Sequence, residues 1–192
     1  MSEVPVALAS TPQLLDETSL RRTITRLAHE VRERHPGLHD VVLAGIPTRG
    51  VPLAQRLSEK LGELHRVRPP AVMLDPHNFR DDRPRGASNG EAAVRGIDGA
   101  ATVRVDGAKV IVVDDVLFTG RTVRAAMDAL IAQGRPAAVE VLVLIDRGHR
   151  ELPLRATYVG KNVPTSVDDR VSVRLREIDG MDGAWLQQGN SR

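Results

Sequence analysis

Residues 110–122 read VIVVDDVLFTGRT. A β-branched apolar run, Val110 to Val113, meets two adjacent carboxylates, Asp114 and Asp115, and then a small-residue turn, Thr119-Gly120-Arg121-Thr122. An unbroken apolar run bounded by a polar turn is the pattern of a strand buried on both faces. The carboxylates then fall where that strand emerges, and the turn opens the helix that follows. Backbone N–H groups and the helix dipole make such a helix start an anion site, with Gly120 permitting close approach. Phosphate capture beside two acids suits a ligand that also sets hydroxyls or Mg²⁺ against them. A sugar phosphate with a vicinal diol has both halves. The plainer reading, in which Asp114 and Asp115 only cap a tight corner, leaves Thr119 to Thr122 unexplained.

The same pattern repeats to either side. Leu20, Ile24, Leu27 and Val31 recur at helical spacing after Asp16 and Ser19, so residues 19–34 read as an amphipathic helix. VVLAG (41–45) reads as a buried strand, Pro47-Thr48-Arg49-Gly50 as a turn, and Ala54, Leu57 and Leu61 as a helix closed by Gly62. AVML (71–74) is a second strand. The helix after Thr122 shows Val123, Ala126, Met127, Leu130 and Ile131 on one face and is expected to end at Gly134. VEVLVLI (139–145) and ATYVG (156–160) read as strands, and VSVRLRE (171–177) as a strand exposed on one face. Strands alternating with helices predict an α/β fold: a doubly wound, mostly parallel sheet flanked by helices. Ligands bind such sheets beyond the carboxyl ends of the strands. Residues 75–101 show no periodicity and are rich in Asp, Arg, Gly, Pro and Asn, as expected of a lid loop.

A length of 192 residues suits one domain, and 41% hydrophobic with 27% charged residues is an ordinary globular composition. Only one Trp, one Tyr and two Phe are present, so the core must be aliphatic. With no cysteine, disulfides and thiolate metal sites are excluded. The opening MSEVPVALAS lacks a basic region and a long apolar stretch, so neither a secretory signal nor a membrane span is expected and the expected compartment is the cytoplasm. The basic residues are nearly all arginine, which favours planar anions such as phosphate and carboxylate.

VIVVDDVLFTGRT resembles the 5-phosphoribosyl-1-diphosphate (PRPP) signature of type I phosphoribosyltransferases. GIPTRGVPLAQRL, FRDD, DRGHRELPLRA and VGKNVPTS narrow the likeness to the PyrR family of bacterial pyrimidine operon regulators, which double as uracil phosphoribosyltransferases. The similarity runs from about Ser19 to Asp179, implying one phosphoribosyltransferase domain with a small hood and a lid. It implies that Asp114 and Asp115 hold the ribose hydroxyls of PRPP and that Val116, Leu117, Phe118, Thr119, Gly120, Arg121 and Thr122 complete the PRPP loop. Thr48, Arg49 and Gly50 match the turn that meets the diphosphate, and Arg80, Asp81 and Asp82 match the lid. Asp146 and Arg147 begin the base-lining segment, with Val163 in the hood. The implied reaction joins uracil to PRPP, giving UMP and diphosphate, with Asp114, Asp115, Arg49 and Arg80 nearest the chemistry. Mg²⁺ is implied as cofactor, carried by PRPP and facing Asp114 and Asp115.

On the first helix, Arg22, Thr25, Arg26 and His29 lie opposite the apolar stripe, which by itself describes a solvated face. The resemblance gives that face a second meaning, because the family binds pyrimidine leader mRNA across a dimer in response to uridine nucleotides. The matching positions are Thr25, Arg26, His29, Arg34, Arg150, Arg155 and Lys161, with Arg34 nearer the apolar stripe than the others. A homodimer or larger homo-oligomer is therefore expected.

The chain departs from the family before the lid. Pro76-His77-Asn78 stands where the family carries β-formers, which predicts a strand shortened or absent there and puts the level of turnover in question. Two narrower readings stand beside the dual one: a phosphoribosyltransferase with an idle basic face, and a regulator with little turnover. A P-loop NTPase is excluded, since Gly160-Lys161 is followed by Asn162 and lacks the upstream glycine.

Overall fold

Two of the apolar runs lie side by side at the centre of the protein. β2 (Val41–Gly45) and β5 (Lys109–Leu117) pair in parallel, Val41 opposite Lys109 and Gly45 opposite Val113. The structure is a computed structural model and describes residues 11–81, 94–97 and 103–189. Around this pair the sheet is ordered β4-β3-β2-β5-β6-β7. β3 (Ala71–Leu74), β6 (Ala138–Asp146) and β7 (Tyr158–Asn162) run parallel to the centre, and β4 (Val94–Gly96) is an antiparallel edge.

Helices cover both faces. Val41, Leu43, Ile111 and Val113 pack with α1 (Glu17–Arg34) and α2 (Gly50–His65). Val42, Ala44, Val110 and Val112 point the other way, against Ala126, Ala129 and Leu130 of α3 (Arg121–Ile131). Burial on both faces is why these strands read as unbroken apolar runs. Asp16 caps α1 by accepting the Ser19 amide at 2.6 Å, which starts the helix at Glu17. Near the start of β6, Glu140 accepts hydrogen bonds from Tyr158 Oη (2.7 Å) and Arg34 Nε (2.8 Å) and lies 2.9 Å from His35 Nε2. This cluster ties the end of α1 to β6 and β7.

The winding reverses at the centre. The chain leaves β2 through α2 for β3 on one side and leaves β5 through α3 for β6 on the other. β2 ends at Gly45, while β5 continues past Val113 to Leu117. Asp114 and Asp115 therefore stand beyond the last β2 partner, on the wall of the crevice where open α/β sheets bind ligands. A separate antiparallel sheet, β1 (Gln13–Leu15), β9 (Gly183–Gln187) and β8 (Arg170–Arg174), forms a hood, with α4 (Arg176–Asp179) between β8 and β9.

Four local readings are corrected. The central strand does not stop at Val113 but carries both aspartates within it, because β6 pairs with it as far as Leu117. The strand read at 156–160 is β7 at 158–162. The alternation read over 171–177 ends at Arg174, where the chain turns into α4. α3 ends at Ile131, short of Gly134. The hood also uses β1 and β9, which lie outside the span 19–179. Before the lid, β3 stops at Leu74 and a single 3₁₀ turn, His77–Phe79, follows Pro76, which carries no amide hydrogen for a ladder. Asp82 and most of the lid lie outside the described residues.

Candidate active site

Two backbone turns flank the acidic pair. The first follows β2 and contains a cis peptide between Pro47 and Thr48, with Arg49 at the start of α2. It presses against β5 so closely that a Cβ on Gly50 would lie 2.3 Å from the Val113 carbonyl oxygen, and one on Gly45 would lie 2.5 Å from the Gly50 oxygen. Only glycine fits at either position. The second turn follows β5. Gly120 adopts φ 91° there, a conformation costly for other residues, and as N-cap it has no side chain to bond the helix amides, though the Arg121 amide donates to Thr119 Oγ1 at 3.4 Å. The start of α3 thus follows directly on the end of β5, the placement expected for a helix terminus that holds a phosphate.

Between the turns, Asp114 Oδ1 accepts the Asp115 amide at 3.0 Å, and Asp115 Oδ1 accepts the Val116 amide at 2.9 Å. Burial pushes the Asp114 carboxyl well above the usual range, and the neighbouring Asp115 charge adds to this. Burial raises Asp115 too, against the opposing pull of the Val116 amide and the Arg49 charge. Such a pair resists carrying two negative charges unaided and favours a ligand that brings hydroxyls or positive charge. Among the described residues no group of three or more His, Asp or Glu side chains could cage a metal. Two adjacent carboxylates suit Mg²⁺, which usually takes one or two carboxylates and keeps phosphate and water for the rest.

Arg49 turns toward the hood. Its Nε and one terminal nitrogen donate to Asp179 at 3.2 and 2.9 Å. A cavity of about 420 Å³ opens beside it, walled by Asp115 and Val116 on one side and by Arg170, Ser172, Arg174 and Gln187 of the hood on the other.

The residues matched to base lining gather at the ends of β6 and β7. The Val163 amide donates to the Asp146 carbonyl at 2.8 Å. Arg147 is buried, with its guanidinium 4.0 Å from the Phe118 ring centroid, Nε donating to Thr165 Oγ1 at 3.0 Å and a terminal nitrogen donating to the Ser166 carbonyl at 2.8 Å. A larger cavity of about 1070 Å³ lies here, lined by Asp146, Arg147, Arg150, Arg155, Val159 and Val163 among others. At the lid base, Asp81 accepts from Arg121 at 2.6 Å, and Arg121 also donates to Glu151 at 2.6 Å. Arg80 adjoins Asp81 in extended conformation.

The positions matched to RNA contact lie on α1, on β7 and in the segment between β6 and β7. Thr25, Arg26 and His29 lie on α1, where Arg26 pairs with Glu30 and donates to the Gly160 carbonyl of β7. The His29 ring meets His65 edge-on at 5.6 Å, and Lys161 Nζ donates to the Leu14 carbonyl at 2.8 Å. Arg34 is tied to Glu140. Arg150 is turned inward: it pairs with Asp146 and donates to the Phe118 carbonyl at 2.6 Å and the Leu154 carbonyl at 3.1 Å. Arg155 lies beside it on the cavity wall. Sequence reasoning missed the hood residues Arg170, Arg174 and Asp179, because no local pattern connects them to a turn at residue 48.

No helix among the described residues is long and apolar enough to cross a membrane. Residues 10–173 match the phosphoribosyl transferase domain family. The chain is 51% identical over 175 residues to the bifunctional protein PyrR of Roseiflexus sp. (strain RS-1), covering 91% of this chain and 93% of that protein. It is 48% identical over 169 residues to the bifunctional protein PyrR of Bacillus subtilis (strain 168), covering 88% and 92%. A hypoxanthine phosphoribosyltransferase from Staphylococcus aureus shares the fold with a TM-score of 0.68 at 19% identity, covering 97% of each chain.

Proposed function

Because this chain belongs to the phosphoribosyl transferase domain family, and within it to the bifunctional PyrR proteins, we propose that it transfers phosphoribose from PRPP to uracil and binds pyrimidine leader mRNA under the control of uridine nucleotides. The observation that carries the catalytic half is the crevice between β2 and β5, which sets Asp114 and Asp115 between two amide-lined turns.

In the reaction, the bond from ribose C1 to the diphosphate oxygen breaks and uracil N1 bonds to C1. Positive charge grows on the ribose and negative charge on the leaving group. Asp114 and Asp115 face the ribose, and their mutual repulsion is relieved as that positive charge develops. The Thr119–Thr122 turn anchors the 5-phosphate, while Arg49 and the turn before α2 meet the diphosphate. Bound Mg²⁺ would supply further neutralisation of the leaving group, with Asp114 and Asp115 as its protein ligands. Arg147, held by Phe118 and Thr165, shapes the base end, and Val163 closes it. Uracil reacts as its anion, so no side chain is required as a general base. Docking of Asp81 on Arg121 brings the lid base to the phosphate turn, where closure excludes water.

The regulatory half rests on Thr25, Arg26 and His29 of α1, joined to β7 through the Arg26–Gly160 bond, with Lys161 on the same strand. Their side chains donate and accept hydrogen bonds and carry charge, which suits phosphate and base-edge contact. The experiment is UMP formation from uracil, PRPP and Mg²⁺, run beside hypoxanthine, guanine and orotate, with leader RNA binding measured in parallel with and without UMP. Turnover with uracil alone supports the reading, and turnover with a purine or orotate instead overturns it. RNA binding without turnover leaves only the regulator.

A further inference from the structure

Asp179 has no part in the functions above, yet it is the most heavily bonded carboxylate near the site. Its Oδ1 accepts Arg49 at 2.9 Å and Arg174 at 3.0 Å. Its Oδ2 accepts Arg49 Nε at 3.2 Å and the Leu175 amide at 3.0 Å. The carboxylate is nearly enclosed at 6% exposed, whereas the two guanidinium side chains are 29% and 36% exposed. Burial alone would raise its pKa, but the bonds from Arg49, the Leu175 amide and Arg174 outweigh that and hold it below the usual carboxylate range. It therefore remains a fixed anion behind two arginines.

Arg49 is gripped through Nε and one terminal nitrogen, and it lines the same cavity as Asp115. Arg174 reaches the same cavity from the end of β8, and its Nε is buried with no hydrogen-bond partner among the described residues. Arg170, two turns of the pleat earlier on β8, lines it as well. Three arginines thus line a space of about 420 Å³, and one carboxylate, Asp179, bonds two of them. Such a cluster suits a compact polyanion with several acceptor oxygens, and a bidentate carboxylate fixes a guanidinium plane as no single hydrogen bond does.

We propose that Asp179 is the positioning residue of the diphosphate subsite and that the hood, through Arg174, supplies a second guanidinium to the diphosphate. The proposal deepens the phosphoribosyl-transfer reading and rests on it. Asp179 touches no reacting atom; it acts by holding Arg49 and Arg174 at one angle and by tying hood to turn. Affinity for diphosphate is then set jointly by the turn before α2 and by the hood.

The test is calorimetric titration of magnesium diphosphate, and separately of UMP, into the full chain and its variants. Asp179→Asn should weaken diphosphate about tenfold, the loss expected for one charge-assisted hydrogen bond, and leave UMP within about twofold. Arg174→Gln should weaken diphosphate by a similar factor. In an Arg49→Ala background most of the Asp179→Asn effect should vanish, because the residue acts largely through Arg49. Unchanged or tighter diphosphate binding in Asp179→Asn overturns the proposal, as does an equal loss for UMP or an undiminished effect beside Arg49→Ala. Should Asp179→Asn melt early, Arg49→Lys keeps the charge without the fork and must show the same selective loss. If Arg49→Ala itself leaves diphosphate affinity untouched, the assignment of the turn falls, and the proposal falls with it.

Discussion

Replacing Gly50 with alanine tests how tightly the fold and the site are joined. The added Cβ would lie 2.3 Å from the Val113 carbonyl oxygen, against 3.4 Å for ordinary contact, so the turn and β5 must part by about 1.1 Å. The obstructing atom is backbone in the centre of the sheet, which has no rotamer to yield. Overpacking of this kind costs about 1–3 kcal/mol. Helix propensity argues for the opposite sign, since alanine is favoured over glycine by about 1 kcal/mol within a helix, and by less at a first position such as this. The clash wins. For a chain of this size, each kcal/mol moves Tm by about 2–4 °C, so a fall of roughly 2–10 °C is expected by scanning calorimetry. The same displacement carries Arg49 away from Asp115, and a misplacement of about 1 Å can cost on the order of a hundredfold in rate. Initial rates of UMP formation at varied PRPP should show that loss, with the uracil dependence less affected. A Gly50→Ala protein with wild-type Tm and wild-type rate would refute the reasoning, because it would mean that the turn has slack.

Asp115→Asn should slow UMP formation by about a hundredfold or more, the usual scale for a group facing developing charge, while leader RNA binding persists; equal turnover would remove its ribose role. Asp114→Asn should raise Tm of the ligand-free protein near neutral pH. The folded state raises this carboxyl above its unfolded value, so its ionised form destabilises the fold at pH above the folded pKa. The gain should shrink as pH falls toward the ordinary carboxylate range, where the acid is protonated in both states, and a gain independent of pH would contradict the assignment. Tyr158→Phe removes the 2.7 Å bond to Glu140, which keeps Arg34 and His35 as neighbours, so a loss of about 1–2 kcal/mol in denaturant unfolding is expected. Arg26→Ala should weaken leader RNA binding and lower its salt slope by about one, as the loss of one phosphate contact does, and an unchanged slope would return α1 to a solvated face.

The parallel core was legible because its signals are local. VVLAG, VIVVDD and VEVLVLI are each apolar on both faces, and each is followed by a turn and a helix stripe. The acidic pair and the glycine turn were legible for the same reason, being contiguous. The hood was not. QLL and GAWLQ are too short to show a period, and β1 finds its partner in β9, far away along the chain. Asp179 stood in the sequence as an ordinary acid after a strand, and only the tertiary arrangement puts it against Arg49. Arg150 adds a contact that no motif announces: its guanidinium pairs with Asp146 and donates to the Phe118 carbonyl. A basic residue in a motif names a charge, and packing decides which way it faces.

Pairing β1 with β9 also sets an order of assembly. Ribosomes deliver Leu15 long before Gly183, and at about 5–20 residues per second the wait is roughly ten to thirty seconds. The parallel core is complete once Asn162 has emerged, so the acidic pair and both anion turns are laid down first. The strand that bears Arg174, the carboxylate behind Arg49 and the partner of Gln13–Leu15 all come from the last-made stretch. A newborn chain therefore carries the acidic pair and both turns before the hood that walls the cavity beside Arg49 exists, and synthesis itself times the moment at which the fold is whole.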